Sequence, residues 1–191
     1  MATALDKAYV MKWVGPFSCI DKLKAWELTN EDFIGSIYLI GGFKCKGKRK
    51  KFYCGKTKST RYVHERLSDK DHPSKDLSEA NREIWIGMMT NCRPTDNNVF
   101  TVENIITSAM ANLEVSEKDM LNKINMNAPK TDAYVINRWY KPCDEYLELG
   151  DYIEWNSLRV DSVAYHVPDL IIYDAGDDNY KGIRRVKRTL Y

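Results

Sequence analysis

Gly35-Ser36-Ile37-Tyr38-Leu39-Ile40-Gly41-Gly42-Phe43 and, after a short polar stretch, Lys51-Phe52-Tyr53-Cys54-Gly55 decide how this chain is read. Ile37 to Phe43 is an apolar run with the texture of a strand, and its Gly41-Gly42 pair predicts a bend or bulge. Lys51 to Cys54 predicts a second strand. The polar residues between them, Lys44 to Lys50, predict the loop of a hairpin.

Downstream, Ser59 or Thr60 can cap a helix running to about Ser68. His72-Pro73 ends it, because the residue before proline is pushed out of helical geometry. Glu83 to Met89 (Glu-Ile-Trp-Ile-Gly-Met-Met) predicts a third, buried strand. After a polar loop, Val102, Ile105, Ile106, Ala109, Met110 and Leu113 recur at helical spacing and form one apolar stripe. Ser116-Glu117-Lys118-Asp119 resembles a capping box and predicts a further helix start. From Tyr134 the texture changes to aromatic and β-branched runs: Tyr134–Tyr140, Tyr146–Trp155, Ser162–Val167 and Leu170–Tyr173. They predict extra strands or loops packed on the core, not an independent domain. Upstream, Trp13, Phe17, Trp26 and Phe33 are irregularly spaced, and a short helix and a loop are expected there.

With 191 residues, 43% of them hydrophobic, the chain can bury a core in one domain or one domain plus an appendage. Its longest apolar runs are too short to cross a bilayer, so no membrane partner is expected. The first residues lack the profile of a secretion signal. Five cysteines, an odd number with no CxxC pair, argue against a disulfide framework or a structural zinc and point to a reducing cytoplasm. The net charge of +2 hides segregation. Lys44, Lys46, Lys48, Arg49, Lys50, Lys51, Lys56 and Lys58 fall in one stretch without an acid, and Arg184–Arg188 repeats the theme. Between them, Asp144 to Glu154 holds five acids. A polyanion meeting one face fits this pattern, against the plain reading of a solvated hairpin loop and a ragged tail.

These residues together resemble the GIY-YIG nucleases. Ser36-Ile37-Tyr38, preceded by Gly35, stands for the first triplet; Tyr53-Cys54-Gly55 stands for the second. Arg66-Leu67 matches the Arg-Leu of the following helix, and His72 the histidine that trails it. Val102-Glu103-Asn104-Ile105-Ile106 resembles the turn that carries the metal-binding glutamate. The resemblance covers roughly residues 35 to 115. Serine and cysteine replace a glycine and an isoleucine, and fourteen residues separate the triplets. For the family's terminal asparagine, Asn112, Asn127 and Asn137 compete.

The resemblance implies an α+β fold, a small three-stranded antiparallel sheet flanked by helices, to which the residues add a C-terminal β-rich extension. Residues 1–34 would be an N-terminal extension, 35–133 the nuclease core and 134–191 an extension that selects the target. It also implies a metal-dependent DNA endonuclease of the phage, mobile-element, restriction or defence kind. Glu103 would hold one Mg²⁺ or Mn²⁺ that otherwise keeps its waters, with Glu114 and Glu117 as rivals. Arg66 would grip phosphate oxygens through its planar fork, with Arg61 as rival. Tyr53 would orient or deprotonate the water, Tyr38 would assist, and His72 or His64 would relay a proton. The eight basic residues of the hairpin stretch would bind the nucleic acid, Lys56 and Lys58 holding flanking phosphates. DNA, double-stranded in the first instance, is the expected partner in the cytoplasm or nucleoid; a double-strand break needs a homodimer or two sequential events. The alternative is a binding protein, for nucleic acid or protein, on the same scaffold without catalysis.

Overall fold

A computed structural model of the chain describes residues 7–58, 60–122, 129, 131–143, 150–154 and 157–183. Lys7–Phe17 forms an eleven-residue strand, β1, in which buried Tyr9, Met11 and Trp13 alternate with half-exposed Val10 and Lys12, the period of two that a strand imposes. After the short helix α1 (Ile20–Thr29) come β2 (Ile37–Phe43) and β3 (Lys50–Lys56), which form the expected hairpin. A five-residue helix, α2 (Val63–Leu67), follows, then β4 (Glu83–Met89) and the long helix α3 (Asp96–Ala109), which widens into a π turn at Met110–Glu114. The last described elements are β5 (Ala133–Tyr140), β6 (Tyr152–Ile153), β7 (Leu170–Asp174) and β8 (Asn179–Ile183).

The strands form one sheet in the order β3-β2-β4-β1-β5-β7-β8, with β6 paired to β5. All pairings are antiparallel except β1 with β5, which run parallel from Lys7↔Ala133 to Val14↔Tyr140. This large mixed sheet, curled into a half-barrel, overturns the expected small three-stranded antiparallel sheet flanked by helices. The expected trio is present as β3-β2-β4, at one end. It does not stop there because β4 is buried on both faces: Ile84 and Ile86 point one way, Trp85 the other. Its second edge would strand buried backbone N–H and C=O groups, and β1 pairs them. The supposed extension supplies β5, β7 and β8 to the same sheet.

Two apolar layers follow. On one face, Trp13, Trp85 and Trp139 cluster, Trp13 stacked on Trp139 at 5.4 Å, beneath Val102, Ile105 and Ile106 of α3. On the other, α1 and α2 cover the β3-β2-β4-β1 half, with Leu23, Trp26, Val63 and Leu67 against Tyr38, Ile40, Ile84 and Ile86. Each fully buried aliphatic side chain here contributes roughly 1.5–3 kcal/mol.

Several local expectations shift. Gly41-Gly42 makes no bulge, since the register runs evenly through both; a Cβ on Gly41 would crowd Val163 Cβ at 3.2 Å. The helix expected at Ser116 is a single 3-10 turn, Glu117–Asp119, and of the runs expected as strands or loops Ser162–Val167 holds a 3-10 turn at Ala164–His166. Ser59 and half of Tyr146–Trp155 lie outside the described residues. Among the described residues no helix is long and apolar enough to cross a membrane.

Candidate active site

The β2–β3 register pairs Tyr38 with Gly55 and Ile40 with Tyr53, so both tyrosines stand on the face covered by α1 and α2. Their ring centroids are 6.0 Å apart. Gly55 lies directly beneath: a Cβ there would sit 2.6 Å from Tyr38 Cζ and Oη and from Tyr53 Cε1. The third residue of Tyr53-Cys54-Gly55 must therefore be glycine for the two hydroxyls to converge. Cys54 points to the opposite face and is fully buried; burial, then the charge of Glu103, pushes its thiol up, as suits a packing residue and not a nucleophile. Ser36 is also buried and donates its hydroxyl to the Phe33 carbonyl.

His72 completes a buried chain. Its Nε2 lies 2.9 Å from Tyr38 Oη, and its Nδ1 accepts the Ser74 backbone N–H at 3.1 Å. A backbone N–H can only donate, so Nδ1 is bare and Nε2 carries the proton that is donated to Tyr38. Burial, then the Arg66 charge, pushes the imidazole down to about 4, so it is neutral at physiological pH. Tyr38 in turn donates to Tyr53, which leaves Tyr53 the half-exposed outer member of the chain. Burial raises the Tyr38 phenol far above its ordinary value, with Tyr53 adding to the rise. Tyr53 is raised by burial and by Glu103, while the Tyr38 hydrogen bond and Arg66 pull it down.

Arg66 enters from α2, a helix too short to persist alone. Glu27 of α1, fully buried, holds it: its carboxylate accepts Val63 N–H at 2.8 Å, His64 N–H at 2.9 Å and His64 Nδ1 at 2.8 Å. Burial raises the Glu27 carboxyl, and the two backbone donors pull against it. Arg66 faces Tyr38 and Tyr53 and donates to Asp69 at 2.6 Å. Arg61 grips the same carboxylate with two donors, at 2.9 and 2.5 Å. Together they hold Asp69 well below the usual carboxylate range, Arg61 first. His64 and Arg61 are thus bound to the scaffold, and Arg66 and His72 are the members beside the tyrosines.

Glu103 arrives from α3 across the edge strand β3. It is half-buried, and burial pushes its carboxyl up to about 7 against the pull of Lys56 and Arg66. Its charge acts on Tyr53, Tyr38 and Cys54. The rivals Glu114 and Glu117 are exposed, beyond the end of α3. Met120, Leu121 and Asn122 cover the outer edge of β3. Leu121 N–H reaches Phe52 O at 2.7 Å, and Asn122 pairs with both backbone groups of Cys54, at 3.1 and 2.7 Å.

The basic hairpin does not join this cluster as a whole. Lys44 pairs with Asp76 at 3.2 Å, Lys50 with Glu83 at 3.0 Å, and Lys51 and Arg49 with Asp119 at 2.9 and 3.9 Å. Lys46 and Lys48 are exposed at the tip, roughly 16 Å from Tyr38 at strand rise. Lys56 and Lys58 stand at the other end of the hairpin, Lys56 beside Glu103. Asn137 is a core residue, bonded to Trp13 and to the Pro168 carbonyl; Asn112 is exposed; Asn127 and Arg184–Arg188 lie outside the described residues. His166 packs edge-on against Phe52, away from the site.

Glu27, Asp69, Ser74 and Asn122 are the supporting residues that sequence reasoning passed over. Glu27 and Asn122 meet partners far along the chain and Ser74 acts through its backbone N–H, which leave no spacing to read, whereas Asp69 lies only three residues from Arg66. No group of three His, Cys, Asp or Glu able to hold a metal ion is present among the described residues. A single carboxylate such as Glu103 would suit only a cation that keeps most of its waters. No family model, no curated protein and no solved structure matches the chain.

Proposed function

We propose that this protein is a metal-dependent endonuclease of GIY-YIG type, hydrolysing DNA phosphodiester bonds with a site mounted at one end of a larger sheet. The observation that carries the reading is convergence. Tyr38, Tyr53 and His72 meet from β2, β3 and the loop after α2, with His72 bonded to Tyr38, and the charges of Arg66 from α2 and Glu103 from α3 reach the two tyrosines.

Arg66 supplies a fixed fork for the non-bridging oxygens of the phosphate, where charge grows in the transition state. Tyr53, the outer hydroxyl, receives a hydrogen bond from Tyr38, which leaves its own O–H to orient the attacking water. His72, neutral, fixes the Tyr38 hydroxyl so that its proton points at Tyr53. Glu103 would hold Mg²⁺ or Mn²⁺, which when bound supplies charge neutralisation and a more acidic water. Lys56 and Lys58 meet neighbouring phosphates.

Two measurements on the intact chain test this. Titration calorimetry with Mn²⁺ is expected to show one site that Glu103→Ala removes. Cleavage of a labelled oligonucleotide is expected to be lost in Tyr53→Phe while binding persists. DNA binding without metal-dependent cleavage would instead identify a binding protein on the same scaffold.

A further inference from the structure

Phe100 is 43% exposed, although it belongs to the helix that carries Glu103. Phe100, Glu103 and Thr107 fall at i, i+3 and i+7 and so share one face of α3. The row runs from Thr107, which meets Cys54, past Glu103 to Phe100. The Lys56 ammonium stands 5.7 Å from the centre of the Phe100 ring and also acts on Glu103. Val99, Val102, Ile105 and Ile106 of the same helix are all buried. A large ring left in water, a cation at its face and a phosphate-binding cluster one helical turn away form a recognisable combination. Aromatic platforms beside basic grooves bind the flat faces of unpaired bases.

We propose that Phe100 stacks on an unpaired nucleobase next to the phosphate gripped by Arg66, with Lys56 on that nucleotide's own phosphate. The inference rests on the phosphodiesterase reading and narrows its substrate class to single-stranded or locally opened DNA. In intact duplex both faces of each base are already covered by neighbours, so the ring has nothing to stack on.

The test uses the full chain without divalent metal and a single-stranded oligonucleotide carrying 2-aminopurine, whose fluorescence is quenched by stacking. Binding is expected to quench the probe. Phe100→Ala should remove the quench and weaken binding about 5- to 150-fold, the range of one base–aromatic stack. Phe100→Trp should keep both, and duplex of the same sequence should bind alike in all three proteins. Because Phe100 is exposed, its loss is not expected to impair folding, which circular dichroism checks. Quench and affinity unchanged in Phe100→Ala would overturn the stacking role and leave the nuclease reading standing. The expected pattern in a protein that cuts no DNA would do the reverse, and no binding of either oligonucleotide would remove both.

Discussion

Replacing Glu103 by Gln should stabilise this protein while abolishing the metal-dependent cleavage proposed for it. Gln keeps the shape and removes the charge. In the folded state the carboxyl is pushed up to about 7, against an ordinary value of 4.5. That gap corresponds, at about 1.4 kcal/mol per pH unit, to roughly 3 kcal/mol of differential interaction. Residual solvent contact lowers the working figure to about 1–3 kcal/mol. The sign follows from proton counts. Between 4.5 and about 7 the folded chain holds a proton that the unfolded chain has released, so stability falls as pH rises through that window. Urea unfolding of wild type and Glu103→Gln at about pH 8 should therefore differ by about 1–3 kcal/mol in favour of the variant, and at about pH 4.5 by less than ~0.5 kcal/mol. Adding Mg²⁺ at the higher pH should stabilise the wild type alone, by mass action. A difference between the two proteins that does not change with pH would refute the argument, since the charge would then be held at no cost.

Other expectations follow from the same geometry. Gly55→Ala should force Tyr38 and Tyr53 apart, costing about 1–3 kcal/mol and most of the cleavage rate in the same protein; thermal unfolding and oligonucleotide cleavage read the two. Glu27→Gln leaves one of the α2 donors poorly paired and should lower stability by about 1–3 kcal/mol, with kcat falling as Arg66 loses its mount. The kcat/KM profile should rise through about 7 as Glu103 ionises, with no inflection from His72, already neutral above about 4. Lys46→Ala with Lys48→Ala should alter DNA affinity less than Lys56→Ala with Lys58→Ala, measured by salt-dependent binding, because the tip stands away from the tyrosines.

The hairpin, β4 and the helix of Glu103 were legible because each is a local pattern: Glu83–Met89 is the expected strand to the residue, and the stripe from Val102 to Met110 is buried on α3 and its continuation, although its expected last member, Leu113, is exposed. β1 was hidden because what makes it a strand is distant. Met11 pairs with Met89 and Asn137, and Tyr9-Met11-Trp13 becomes an inward row only once those partners are known. The same cause merged the supposed C-terminal extension into the sheet. At the candidate site, Tyr38, Tyr53, Arg66, His72 and Glu103 were read as an ordered set; Tyr38, Tyr53 and His72 are ring neighbours, and the charges of Arg66 and Glu103 reach the two tyrosines. Glu27, Ser74 and Asn122 act through backbone atoms, which the order of side chains does not announce. Charge runs misled for a related reason: Lys44, Arg49, Lys50 and Lys51 look free until Asp76, Glu83 and Asp119 fold onto them.

Cleavage of supercoiled plasmid with and without Mg²⁺, comparing wild type with Glu103→Ala and Arg66→Ala, tests the central claim most directly. Nicked or linear product that requires the metal and disappears in both variants is the predicted result. Cutting that survives both substitutions, or no cutting by the wild type of plasmid or oligonucleotide, would contradict it.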